Sequence, residues 1–92
     1  MTRDEELYVI LAEECAEVIQ ECNKIIRYGE DAIYRDKTPL ERLEKEVGDV
    51  LCMIGLLKDA SKFSQYRLNR FEAEKFEKLH QWSSLFDAKS EA

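Results

Sequence analysis

Two stretches of this chain carry apolar residues at helical spacing, and acidic residues interrupt the apolar side of each stretch. The first stretch is Leu7–Ile26, with acidic residues at Glu13–Glu17, and the second is Leu43–Leu57, with acidic residues at Glu46–Asp49. A carboxylate buried among apolar side chains is destabilising unless another group compensates its charge. The pattern therefore predicts helices that share a charged site, and bound divalent cations are the compensation that several facing carboxylates indicate.

The helical rotation of about 100° per residue places one acidic pair of each stretch within the apolar stripe. With Glu14 at 0°, Glu17 falls at about −60°, and with Glu46 at 0°, Asp49 also falls at about −60°. Each pair has i,i+3 spacing, so its side chains project from adjacent turns. If the two helices pack antiparallel, these four carboxylates converge on one point.

Four further charged residues are candidates for the same site, three beside the first acidic pair and one on the third predicted helix. Glu21 falls at about −20° from Glu14 and is in the same stripe, where it is a candidate substrate contact, whereas Glu13 falls at about −100°, at its edge. Lys24 flanks this stripe and is a candidate phosphate contact. Lys75 lies within the apolar stripe of the third predicted helix, where it either snorkels to solvent or contacts phosphate.

Capping signals divide the chain into three predicted helices of one all-α domain, residues 1–92. Thr38, Pro39 and Glu41 form a capping box with proline at the first helical position. Gly29 is a C-terminal signal for the first helix, and Ser64 is a candidate N-cap for the third. The predicted helices span about 4–28, 38–59 and 65–85.

The inward positions predicted for these helices are mostly large and apolar. They are Leu7, Ile10, Leu11, Val18, Cys22, Ile25 and Ile26 in the first helix; Leu43, Val50, Met53, Ile54 and Leu57 in the second; and Leu68, Phe71, Leu79, Trp82 and Phe86 in the third.

Length and charge limit the classes of partner. A chain of 92 residues buries a small core alone, so we expect an oligomer, with Leu51, Leu56, Phe76 and Trp82 available for an interface. The net charge of −6 without a basic stripe argues against nucleic-acid binding. No apolar run reaches the roughly 20 residues of a membrane span, so we expect no membrane partner.

The N-terminus and the cysteines predict a cytoplasmic protein. Residues 1–6 are acidic and polar, which predicts no signal peptide. Cys15, Cys22 and Cys52 lack the spacing of a zinc or redox site. We expect them to be small buried hydrophobic residues in a reducing compartment.

The chemistry of the acidic residues favours Mg²⁺, with Mn²⁺ possible, because no His or Cys ligand accompanies them. A single such acidic pair is typical of a solvated helix face, whereas two pairs in the stripes of neighbouring helices are less ordinary.

A di-iron bundle is the alternative metal site, and it needs inward Glu-x-x-His motifs. The one such motif, Glu77 to His80, falls well off the third stripe, so we expect His80 at the surface.

The spacing of Glu13, Glu14 and Glu17, followed by Glu46 and Asp49, resembles the E-E-x-x-E … E-x-x-D signature of MazG-like proteins. These belong to the all-α nucleoside triphosphate pyrophosphohydrolase superfamily. The resemblance extends to residues 27–29 and 75–83, so it covers most of the chain in the manner of the short single-domain members.

The resemblance implies Mg²⁺-dependent hydrolysis of a nucleoside triphosphate between its α- and β-phosphates, for nucleotide-pool control or housecleaning. It implies Glu14, Glu17, Glu46 and Asp49 as metal ligands, and Glu13 as a neighbouring group that orients water. One carboxylate acts as general base for water, and Lys75 stabilises the pyrophosphate leaving group.

The resemblance also implies a homodimer or homotetramer whose site draws on a neighbouring subunit. One departure is Lys45, which stands where many relatives have an acidic residue. The alternative function is a non-catalytic helical interaction or regulatory module that keeps the carboxylates for structure or for metal-linked folding.

Overall fold

The computed structural model describes residues 1–87. These residues form three helices and no β-strand, which confirms the all-α prediction. The helices are α1 (Arg3–Tyr28), α2 (Pro39–Asp59) and α3 (Gln65–Trp82).

Side-chain caps define where each helix begins. Thr2 accepts a hydrogen bond from the Glu5 backbone N–H at 3.1 Å, and the Glu5 carboxylate accepts one from the Thr2 N–H at 2.9 Å. Thr38 and Glu41 form the same capping box at the start of α2. Ser64 caps α3 by accepting from the Arg67 N–H at 3.3 Å. These bonds satisfy backbone donors that have no partner within the helix.

The helix ends follow from local backbone conformation. Gly29 follows α1 with φ of 89°, and its N–H donates to the Ile25 carbonyl at 2.8 Å. Glycine adopts this left-handed conformation without a Cβ clash. Helix α3 ends at Trp82, before the predicted 85, because Ser83 is extended and its hydroxyl accepts from the Leu85 N–H at 3.1 Å. That local bond replaces the helical one.

Helices α1 and α2 pack antiparallel and form the helix pair. Asp4 in the first turn of α1 pairs with Lys62, just beyond the end of α2, at 2.9 Å. Leu7, Met53 and Leu57 form the buried hydrophobic core of the pair, and Leu57 is fully buried. Partly buried Ile10, Leu11, Ala60 and Phe63 pack against these three.

Helix α3 makes almost no contact with the helix pair. The radius of gyration is 16.3 Å, against about 12 Å for a compact chain of this length. The smallest dimension is 16 Å, so the chain is a thin slab. Among the described residues of α3 no side chain is buried, and Trp82 is 83% exposed.

Several predicted inward positions are therefore exposed within one chain. Phe71 and Trp82 of α3 and Ile26 of α1 are exposed. The expectation that the cysteines are buried is also wrong, because all three are exposed. The physical reason is that α1 and α2 cover only one side of each other, and α3 adds no third layer.

We expect Leu57→Ala to lower the free energy of unfolding by about 3 kcal/mol, because a large fully buried side chain leaves a cavity. Urea denaturation measures this change. Ile26→Ala is the matched control, since Ile26 is 81% exposed. Equal losses for the two variants would contradict this description of the core.

Candidate metal centre

The helix pair brings Glu14 and Glu17 of α1 together with Glu46 and Asp49 of α2. One carboxylate oxygen from each residue lies within 4.8 Å of those of the other three. We call these four side chains the carboxylate cluster. The i,i+3 spacing on each helix and the antiparallel packing produce this convergence.

The four side chains differ in their access to solvent. Glu14, Glu46 and Asp49 are partly buried, whereas Glu17 is exposed. The cluster therefore lies at an open edge of the helix pair, with two side chains from each helix facing across it. A cation could enter from the side of Glu17.

Burial and mutual repulsion disfavour two of these charges. Burial raises the pKa of Glu14, and the nearby charges of Asp49 and Glu46 raise it further. A hydrogen bond with Glu17 raises the pKa of Glu46, with burial and the charge of Glu17 adding to the effect. The metal-free cluster therefore destabilises the fold at neutral pH.

Lys45 partly compensates the negative charge. Its Nζ lies 2.9 Å from Asp49 Oδ2 and 3.5 Å from Glu46 Oε1. The hydrogen bond from Lys45 lowers the pKa of Asp49, and the same bond raises the pKa of Lys45. Lys45 thus acts as a tethered counterion at the α2 side of the cluster.

Two oxygens of the cluster have no such partner. Glu14 Oε2 and Glu46 Oε2 are buried without a hydrogen bond within the described chain. Buried carboxylate oxygens without partners are costly, and a hard cation accepts several oxygen ligands at once. The donor set, which is all oxygen, therefore fits a divalent cation such as Mg²⁺ or Mn²⁺.

The other predicted site residues lie around the cluster or apart from it. Glu13 is exposed and is not among the four converging residues. Glu21 is buried and pairs with Lys24 at 3.1 Å. Lys75 is exposed on α3 and makes no hydrogen bond or ion pair with any residue from 1 to 87. A single chain therefore does not bring Lys75 to the cluster.

The di-iron alternative has no support in the geometry. His80 is exposed, and its ring stacks on that of Phe86 with centroids 3.9 Å apart. Neither Glu77 nor His80 belongs to the carboxylate group found among residues 1–87.

Sequence reasoning missed two ion pairs at the site. The Lys45–Asp49 pair has i,i+4 spacing and the Glu21–Lys24 pair has i,i+3 spacing, so helical periodicity contained the signal for both. The hydrogen bond from the Arg42 guanidinium to the Tyr34 carbonyl had no such signal, because it joins α2 to the irregular connector.

Fold and site together define a class of protein. It is an all-α protein in which two antiparallel helices bring four carboxylates together in an arrangement that is compatible with a divalent cation. Within residues 1–87 no helix has the length and apolar character needed to cross a bilayer.

The chain belongs to the MazG nucleotide pyrophosphohydrolase domain family, whose model matches residues 3–83. The match spans all three helices and confirms the resemblance drawn from the acidic signature. Comparisons with curated proteins and with solved structures found no match.

We expect Glu46→Gln to raise the melting temperature of the metal-free protein by a few degrees at neutral pH, because it removes a disfavoured charge. The raised pKa values of Glu14 and Glu46 mean that the folded state binds protons more readily than the unfolded state. Stability of the metal-free wild type should therefore rise as pH falls from neutral towards their ordinary value of 4.5, and Glu46→Gln should flatten this rise. Asp49 has the opposite effect on stability, because its own pKa is lowered. Its stabilising contribution is lost only when the pH falls below its ordinary pKa of 3.8.

Thermal melts in EDTA, and then with added Mg²⁺, measure both effects. Mg²⁺ should stabilise the wild type by mass action, and Glu46→Gln should lose most of that gain. Glu44→Gln removes one exposed charge from the same helix and is the control. Identical behaviour of the two variants would contradict the assignment of Glu46 to a cation site.

Proposed function

We propose that this protein is a Mg²⁺-dependent nucleoside triphosphate pyrophosphohydrolase that releases a nucleoside monophosphate and pyrophosphate. Mn²⁺ is a possible substitute for Mg²⁺. The convergence of the four carboxylates supports this proposal most directly, since it occurs in a chain of the MazG nucleotide pyrophosphohydrolase domain family.

The carboxylate cluster would hold the metal through Glu14, Glu17, Glu46 and Asp49. A bound divalent cation supplies positive charge that neutralises the triphosphate and favours ionisation of water. Glu14 Oε2 and Glu46 Oε2, buried without partners, are the oxygens that gain most from such a ligand. Lys45 would have to release Asp49 or Glu46 when the cation enters, since it lies within 3.5 Å of both.

The reaction adds water to the α-phosphorus and breaks its bond to the oxygen that bridges to the β-phosphorus. A carboxylate takes the proton from water as general base, and pyrophosphate leaves with the bridging oxygen. Exposed Glu17, at the open edge of the cluster, and Glu13 nearby are accessible to water, so we assign them to water orientation and proton transfer.

Substrate contacts beyond the cluster involve basic side chains. Lys24 lies two turns beyond Glu17 on α1 and is paired to Glu21. Lys75 lies on α3, which does not pack on the helix pair of its own chain. We propose that Lys75 reaches the leaving pyrophosphate from a neighbouring copy of the chain.

The same exposed helix supports a homodimer or homotetramer. The described part of α3 buries no side chain, while Phe71, Phe76 and Trp82 expose large apolar surfaces. Leu51 and Leu56 of α2 are also exposed. Association through these surfaces would complete a core that a single chain lacks.

The biological setting that fits this activity is nucleotide-pool control or housecleaning in the cytoplasm. The net charge of −6 argues against nucleic acid as the partner, and the nucleoside triphosphate itself is the substrate.

Purified protein should release pyrophosphate from at least one nucleoside triphosphate in a panel of canonical and modified substrates with Mg²⁺, and none in EDTA. Glu17→Ala and Asp49→Ala should lower kcat/KM at least about a hundredfold, because each removes a cation ligand. Glu44→Ala is the control, because it changes an exposed carboxylate outside the cluster.

A different result would favour the non-catalytic interaction module. In that case no nucleoside triphosphate yields pyrophosphate, and Glu17→Ala and Glu46→Ala leave the affinity for Mg²⁺ unchanged. Pyrophosphate release that Glu17→Ala and Asp49→Ala do not reduce would contradict the proposed centre as well.

We expect Trp82→Glu to weaken self-association at least about thirtyfold, because the variant places a charge where the proposed interface would bury a tryptophan. Analytical ultracentrifugation across a concentration series measures this. Gln81→Glu adds the same charge at the neighbouring exposed position and serves as control. A wild-type chain that is monomeric at all concentrations would contradict both the assembly and the contribution of Lys75 from a neighbouring copy.

A further inference from the structure

A cavity lies beside the carboxylate cluster, between α1, α2 and the connector. It has a volume of about 430 Å³ and is enclosed by the end of α1, the start of α2 and the connector between them. Its lining includes Glu21, Lys24, Tyr28, Ile33, Tyr34 and Arg42. We call this cavity the connector pocket. Its volume is in the range of small-molecule sites.

Helical geometry places the connector pocket one turn from the cluster. Glu21 follows Glu17 by one turn on α1, and Arg42 precedes Glu46 by one turn on α2. Because the two helices are antiparallel, both steps lead in the same direction along the pair, by about 6 Å. A substrate with its phosphates at the cluster can therefore extend its nucleoside into this pocket.

Glu21 is the unusual residue of the pocket. It is the buried charged residue of the described chain, with 8% of its surface exposed. Oε1 of Glu21 accepts from Lys24 Nζ at 3.1 Å, while Oε2 is buried and has no hydrogen-bond partner. An unsatisfied buried carboxylate oxygen is costly and calls for a donor. The ion pair with Lys24 therefore satisfies Oε1 and leaves Oε2 available to accept a hydrogen bond.

The lining fits a nucleoside better than a phosphate. Tyr28, Tyr34 and Ile33 supply aromatic and aliphatic surface of the kind on which bases stack. The Arg42 guanidinium already donates to the Tyr34 carbonyl and lies 5.5 Å from the centre of the Tyr34 ring. Lys24 is paired as well, and the Glu21 carboxylate repels phosphate. Both cations of the pocket therefore already have a partner within the described chain, which favours the nucleoside over the triphosphate as its occupant.

We propose that the connector pocket binds the nucleoside of the substrate and that Glu21 selects bases that carry an exocyclic amino group. This inference rests on the proposed pyrophosphohydrolase function. A free carboxylate oxygen accepts a hydrogen bond from the amino group of cytosine, adenine or guanine. Uracil and thymine carry a carbonyl oxygen at C4, in place of the amino group of cytosine, and the carboxylate repels that oxygen. A site with a fixed buried polar group discriminates strongly against a ligand that cannot pair with it.

CTP and UTP give the sharpest comparison, because they differ only in the base edge that meets Glu21. The wild type should favour CTP over UTP at least about tenfold in kcat/KM. The α,β-methylene analogues of CTP and UTP should show the same preference in calorimetric binding with Mg²⁺. Glu21→Gln should reduce the preference to about threefold or less, chiefly by weakening CTP, because the amide can turn a donor towards uracil.

Glu6→Gln removes a charge from an exposed position of the same helix and should leave the preference unchanged. Melting temperatures establish that each variant is folded, and Glu21→Asp tests the geometry, since it keeps the charge but withdraws the acceptor. Glu21→Asp should weaken binding of the CTP analogue while the UTP analogue changes little.

Three results would overturn the assignment of base selection to Glu21: no base preference in the wild type, a preference that Glu21→Gln retains, or an equal loss for both nucleotides. A preference that Glu21→Gln retains is also the result expected if another copy of the chain fills the pocket. Base preference in analogue binding without any pyrophosphate release would contradict the proposed enzymatic function and leave the pocket assignment standing. Failure of both analogues to bind would overturn the pocket assignment.

Discussion

The main constraint on this structure is the repulsion among four carboxylates whose oxygens two helices hold within 4.8 Å of one another. Such a cluster opposes the packing that creates it, because burial and neighbouring charge disfavour ionisation of Glu14 and Glu46. The small core of Leu7, Met53 and Leu57 must outweigh that repulsion. Cation binding at this cluster would therefore stabilise the fold, because the residues that would serve the site are the ones that weaken the helix pair.

The thin shape of the chain follows from the same arrangement. Charged residues occupy part of the face that α1 and α2 share, so less apolar surface remains, and α3 makes almost no contact with the two helices. The aromatic residues Tyr66, Phe71, Phe76 and Trp82 of α3 remain exposed. The connector adds a turn at Arg35 and Asp36, both with positive φ, directly after Tyr34, which lines the pocket.

Sequence reasoning predicted the helices and the four converging residues, because both depend on local periodicity and caps. The angular positions of Glu14, Glu17, Glu46 and Asp49 needed only antiparallel packing to bring them together. Burial was harder to predict, since an apolar stripe indicates that a helix face can be covered and does not indicate which element covers it. Trp82, Ile26 and Cys22 were predicted to face inward from such stripes and are exposed in the described chain. The unpaired oxygen of Glu21 depends on the connector and on Lys24 together, so spacing alone could not reveal it.

Lys45 gives the centre a property that its carboxylates alone would lack. Its ammonium group lies 2.9 Å from Asp49 and 3.5 Å from Glu46, so it occupies ligand oxygens that a divalent ion would use. A covalently attached cation cannot be diluted, and its effective concentration at the site stays constant. A divalent ion that bound at the cluster would have to compete with this ammonium group, so its apparent affinity would be lower by a constant factor than at the carboxylates alone. The lysine would thus act as an intramolecular competitor whose effect does not depend on protein concentration.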